Sequence, residues 1–301
     1  TSPPGGTIIV TGANTSTPGF TPDVEGTHVV TLTVTNATGS TSQDTVTVSA
    51  TPLAGANAGL DQTVSVNTLV NLSGLASTNA VSYSWSITTP PVGGTIILNN
   101  PTSATPSFTP NVVGVYVVTL TVTNGTGNNS QDAVNITAIA LPGANAGLDQ
   151  TVSVDSPVNL SGTGSTNATS FNWSITTAPP GGTTALAGAN TPTPSFTPNV
   201  AGAYIVTLTA ANATGSTHQD TVSVTAIPLP VANAGPDQAV SVGTPVSLSG
   251  TNSTNAAGFA WSITAAPPGG TTTLTDANTS TPGFTPNVAG TYIVTLTATN
   301  A

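Results

Sequence analysis

The stretch Val81-Ser82-Tyr83-Ser84-Trp85-Ser86-Ile87 puts an apolar side chain at every second position, the period of a strand that buries one face. The pattern returns as Phe171, Trp173, Ile175 and as Phe259, Trp261, Ile263. Trp85, Trp173 and Trp261 lie 88 residues apart, as do Phe20, Phe108, Phe196 and Phe284, each opening Phe-Thr-Pro. Ala-Asn-Ala-Gly-Xaa-Asp-Gln begins at Ala56, Ala144 and Ala232 with the same spacing. Segments 55–142 and 143–230 align without a gap, with about two residues in three identical. A period of 88 is too long for a solenoid turn of roughly 20–50 residues and suits a small self-contained domain.

Every unit reads as strands. Tyr292, Val294, Leu296 and Ala298 alternate with Ile293, Thr295 and Thr297; Val64 and Val66, Val70 and Leu72, and Val46 and Val48 supply shorter runs. Thr and Val suit a pleated, half-buried surface. Turn signals such as Pro90-Pro91-Val92-Gly93-Gly94 and Gly188-Ala189-Asn190 separate the runs. About seven short strands at roughly ten-residue spacing predict an all-β, immunoglobulin-like sandwich, repeated in tandem. Proline-containing junctions fall at Thr51-Pro-Leu, Ala140-Leu-Pro and Ile227-Pro-Leu-Pro. The expected domains are therefore 55–140, 143–228 and 231–301, the last without its final strand, preceded by residues 1–50 as the C-terminal part of another. Two readings of this phase stay open. The chain is a window on a longer array, or its incomplete domains are completed by strand addition from a neighbouring subunit.

Composition narrows the function. The chain has no Lys or Arg, ten Asp and Glu, and a formal charge of −10. Without a cation it cannot neutralise phosphate, which excludes nucleic acid, anionic membrane surfaces and lysine-dependent phosphoryl or Schiff-base chemistry. No cysteine is present, so disulfides and thiolate chemistry are absent. Methionine is absent too, so the sequence reads as a processed or excised piece. No apolar run reaches about 18 residues, and direct membrane insertion is not expected.

The segment Val231-Ala-Asn-Ala-Gly-Pro-Asp-Gln-Ala-Val-Ser-Val-Gly-Thr-Pro-Val-Ser-Leu-Ser-Gly, the Trp261 strand and Phe284-Thr-Pro-Asn-Val-Ala-Gly-Thr-Tyr-Ile-Val-Thr-Leu-Thr together resemble the PKD domain family. The resemblance covers the whole chain. It implies immunoglobulin-like sandwiches of extracellular and cell-surface proteins, used as spacer or adhesion modules. Two features depart from the family's commonest pattern. The Trp strand runs into Ser-Ile-Thr rather than a Gly-Asp-Gly turn, and Ser77-Thr78-Asn79 replaces an Asp-rich loop.

The acids recur as Asp61, Asp149, Asp237 and as Asp44, Asp132, Asp220. Their turn-like settings suit backbone capping. The alternative is calcium, with Asp61 facing Asp132, and Asp149 facing Asp220, at one pole of a sandwich near Asn79 and its copy. No other cofactor is expected. His28 takes the slot filled by Tyr116, Tyr204 and Tyr292, and His218 that of Ser42 and Ser130; neither recurs, so neither reads as catalytic. Trp85, Phe108, Tyr116 and their copies fall at inward positions and read as core. Among many Asn-Xaa-Ser/Thr sequons, Asn36, Asn124 and Asn212 share one repeat slot at a strand end and are the preferred glycan acceptors.

These features predict a non-enzymatic, extracellular subunit or segment of a cell-surface fibre, sheath or stalk, with self-assembly through strand or edge contacts. The alternatives are an adhesin or spacer region of a large surface protein, or an accessory module of a secreted hydrolase. Expected partners are copies of itself or neighbouring surface proteins, with surface glycans as a further class.

Overall fold

The computed structural model describes residues 1–300, and every regular element in it is a β-strand. The chain divides into two compact units, Thr1–Ala140 and Leu141–Ala301.

In the first unit, β1 (Gly26–Thr35) and β2 (Thr41–Ala50) form an antiparallel hairpin running in register from Gly26↔Ala50 to Thr35↔Thr41. The next six strands make a sandwich: β3 (Gln62–Ser65), β4 (Val70–Asn71), β5 (Ser82–Thr89), β6 (Ser107–Phe108), β7 (Gly114–Thr123) and β8 (Asn129–Ile139). One sheet has the order β3-β8-β7-β5, with β3 parallel to β8 and the other pairs antiparallel. The opposing layer is the short β4–β6 pair. It is short because prolines interrupt the segment that crosses it. Leu72 N donates to Pro106 O, as Leu160 N does to Pro194 O and Leu248 N to Pro282 O, but proline has no N–H to return, so the ladder stops there.

The second unit repeats this plan. β9 (Gln150–Ser153), β10 (Val158–Asn159), β11 (Ser170–Thr177), β12 (Ser195–Phe196), β13 (Gly202–Ala211) and β14 (Thr217–Ile227) give a sheet of order β11-β13-β14-β9 facing β10–β12. β15 (Val246–Ser247), β16 (Gly258–Ala265), β17 (Gly283–Phe284) and β18 (Ile293–Thr299) follow as the pairs β15–β17 and β16–β18. The stretch 238–241 aligns with β3 and β9 yet is not a strand. β3 and β9 pair only with β8 and β14, and β18 has no such neighbour among the described residues.

The alternation predicted around Trp85 sets the core. β7 buries Tyr116, Val118, Leu120 and Val122 and turns the intervening residues outward. Trp85, Trp173 and Trp261 are buried, and each indole N–H donates to a carbonyl 18 residues on: Ser103, Thr191 and Thr279, all at 3.1 Å. Phe108 tilts against Tyr116 with ring centroids 5.6 Å apart, and Phe196 against Tyr204 at 5.5 Å. Burying such rings contributes about 1.5–3 kcal/mol each. The β1–β2 hairpin has no facing strand pair among the described residues; Phe20 covers His28, while Leu32, Val34 and Val46 are exposed.

Candidate functional site

Four of the six recurrent aspartates, Asp61, Asp132, Asp149 and Asp220, bond over long range rather than within their own turns, whereas Asp44 accepts from the next residue, Thr45 N. Asp132 Oδ2 accepts from Ala58 N at 2.8 Å, and Asp220 Oδ2 from Ala146 N at 2.8 Å. Asp61 accepts from Asn135 N at 2.8 Å and from Asn135 Nδ2 at 3.1 Å; Asp149 accepts from Ser223 N at 2.9 Å. Each bond joins the start of a module to its last strand across 74 residues. Together they bracket the start of the four-residue parallel ladder of β3 on β8, or β9 on β14. The Asn135 backbone N–H, and then its side-chain amide, hold the Asp61 carboxyl below its ordinary range. Among the described residues no three His, Asp or Glu side chains gather in metal-binding geometry. Asn79 Nδ2 donates to Leu53 O at 2.9 Å.

The histidines take over the work of the residues they replace. His28 is fully buried, with Nε2 3.0 Å from Val24 O and its ring 5.9 Å from Phe20. Tyr116 makes the matching contact at Val112, where its Oη accepts from the N–H and donates to the carbonyl, both at 3.1 Å. The His28 Nδ1 has no hydrogen-bond partner. His218 Nδ1 accepts from Ala144 N at 3.0 Å, as Ser130 Oγ accepts from Ala56 N at 3.3 Å.

The three sequon asparagines differ in access. Asn36 is exposed, whereas Asn124 and Asn212 are 4% and 5% exposed. Asn124 Oδ1 accepts from Thr126 N, Thr126 Oγ1 and Asn128 N, and its Nδ2 donates to Pro52 O at 2.8 Å. Glycosylation of Asn124 replaces one of the two Nδ2 hydrogens with a sugar, which at 4% exposure has to find room beside Pro52.

The outer face of the main sheet carries hydroxyl rungs. Thr88 pairs with Thr119 at 3.0 Å, Thr176 with Thr207 at 3.0 Å and Thr264 with Thr295 at 3.1 Å. Gln131 and Gln219 donate to Thr121 and Thr209. The 55–140 module also exposes Val92, Ile96, Ile97 and Val113. Thr95 N donates to Asn111 Oδ1 at 2.7 Å, and Pro91 packs over Gly114, so these residues share one pole. The aligned positions in the next copy are Pro180, Thr184, Ala185 and Ala201. No sequence signal singled these residues out; the fold gathers them.

A family model described as K319L-like, PKD domain matches residues 58–138, 146–226 and 234–301. The dyslexia-associated protein KIAA0319-like protein of Mus musculus is 30% identical over 206 residues, which cover 62% of this chain. The aligned region is only 19% of that relative's length. Similar solved structures include the PKD domain from KIAA 1837 protein, with 31% identity over 31% of this chain and 93% of that one, TM-score 0.27. An I-band fragment from titin has 14% identity over 83% of this chain and 95% of its own, TM-score 0.42.

Proposed function

Because this chain belongs to the K319L-like PKD domain family, we propose that it is part of an extracellular, cell-surface protein whose tandem PKD modules act as non-catalytic adhesion and spacing units. One observation carries this reading. The recurrent indole and carboxylate groups are spent on holding each module together, and what repeats outside is a hydroxyl-lined sheet face. The exposed aliphatic pole of the 55–140 module is an adhesion surface of the kind that large exposed apolar patches mark. Its partner is a further copy or a neighbouring surface protein. In its finer form the proposal is a fibre, sheath or stalk held by edge contacts, for which a cation-free surface offers no charge pairing to compete.

Sedimentation velocity over a concentration series tests the adhesive pole. Ile96→Thr, Ile97→Ala and Val113→Ala install the residues of the neighbouring copy, so the fold tolerates them. Concentration-dependent association that disappears in this triple variant supports the reading. Wild-type protein that stays monomeric and binds no surface protein argues against it, and ordered filaments in negative stain favour the fibre form. Calcium at Asp61, Asp132, Asp149 and Asp220 is a separate proposal, for lone pairs the N–H donors leave. A rise in Tm at about 1 mM Ca²⁺, within the range of extracellular modules, supports it, and an unchanged Tm removes it.

A further inference from the structure

The junctions between modules carry proline and no strand, yet their carbonyls are not left to solvent. In the first unit, Pro52 O accepts from Asn124 Nδ2 at 2.8 Å and Leu53 O from Asn79 Nδ2 at 2.9 Å. Thr51 Oγ1 lies 3.1 Å from Thr126 Oγ1 in the same turn. Gly55 and Thr78 then exchange backbone bonds at 3.0 and 2.8 Å. Three consecutive junction residues are thus bound to loops of the module that follows.

In the second unit the arrangement recurs one repeat on. Leu141 O accepts from Asn167 Nδ2 at 3.1 Å. Leu229 O accepts from Asn255 Nδ2 at 3.2 Å, and Pro228 O from Asn300 Nδ2 at 3.3 Å. Asn300 Nδ2 also donates to Ser153 Oγ at 2.7 Å, and Ser153 ends β9 of the preceding module. One amide therefore touches the linker and both modules that the linker joins.

We infer that the two asparagine slots, Asn79/Asn167/Asn255 and Asn124/Asn300, are staples that make each linker part of the following module, and that Asn300 with Ser153 sets the angle of the 228–231 joint. The chemistry favours asparagine. Its Oδ1 closes the turn by accepting backbone N–H groups while its Nδ2 donates outward to a carbonyl. Aspartate at this position keeps the first role and loses the second. Positive φ at Asn79, Asn167 and Asn255 (54°, 53° and 54°) aims the other amide at the linker, a conformation that asparagine adopts more readily than most residues.

The chain has no cysteine, so a spin-label pair at Ser174→Cys and Ala260→Cys reports on the 228–231 joint of the full chain without competing sites. Pulsed dipolar spectroscopy is expected to give one narrow distance distribution in the parent. Asn255→Ala with Asn300→Ala is expected to widen it at least about twofold, as the linker passes from held to flexible. Ser153→Ala, which leaves turn and linker intact, is expected to shift or broaden the distribution without changing Tm. Unchanged distributions in both variants, with cooperative melting retained, overturn the inference. A parent distribution already as broad as the double variant's does so too.

Discussion

Asp132 Oδ2 holds the Ala58 backbone N–H at 2.8 Å, and three residues away Asp61 holds the Asn135 N–H in the reverse direction at 2.8 Å. The two carboxylates tie the first and last strands of one module at the start of a ladder only four residues long. Without them, β3 has little but that ladder and a few apolar contacts to keep it in place.

Acid should loosen this tie. The donors from Asn135 lower the Asp61 pKa, so its contribution to stability is full above the ordinary Asp range and is lost as pH falls through the lowered folded-state value. Wild-type Tm should exceed that of Asp61→Asn at pH 7, and the gap should close below about pH 4. Thermal melts across pH check this; two parallel curves would contradict it.

Gly162 has a packing reason. A Cβ there meets the Trp173 ring at 3.0 Å, Leu208 at 3.1 Å and Phe171 at 3.4 Å, and Gly74 and Gly250 meet the same three slots. Gly162→Ala should cost about 1–3 kcal/mol through overpacking of the indole. Denaturant unfolding followed by Trp173 fluorescence reads it, and a neutral result would show that the sheets can part.

His28 stands where the other copies have tyrosine, and its Nδ1 is buried without a partner. His28→Tyr should restore both contacts at Val24 and protect the β1–β2 hairpin by about 1 kcal/mol. Conversely, Tyr204→Phe removes bonds to the Val200 N–H and carbonyl at 3.3 and 2.9 Å and should cost about 1–2 kcal/mol. Hydrogen exchange of β1 amides and equilibrium unfolding of the 143–228 module measure the two.

Folded material secreted from a glycosylating host should carry sugar at exposed Asn36 and none at Asn124. Peptide mapping decides this. A glycan at Asn124 on protein with native melting would show that the turn has room for the sugar beside Pro52.

Much of this was legible beforehand, because strand alternation and an 88-residue copy period are local signals. Trp85, Phe108 and Tyr116 were read as core from their spacing and are buried. The aspartates were harder. Asp beside Gln in a turn-like setting suits a local cap, and only the expected sandwich, with its first and last strands at one pole, placed Asp61 near Asp132 and Asp149 near Asp220. The asparagine staples were likewise hidden, since Asn124-Gly-Thr126 is also a glycosylation sequon, and nothing local says that its amide faces a linker.

The amino-acid order alone determined which residues face inward, how often the module recurs and which chemistries lack their reagents. Those properties depend on side-chain type and short-range periodicity. The tertiary structure decided which polar groups meet across 70 or more residues, as Asp132 meets Ala58 and Asn124 meets Pro52. It also decided that β3 and β9 pair in parallel with β8 and β14, the last strands of their modules. A two- or four-residue strand has too little local preference to exist by itself, so its partner, and not its own sequence, makes it a strand.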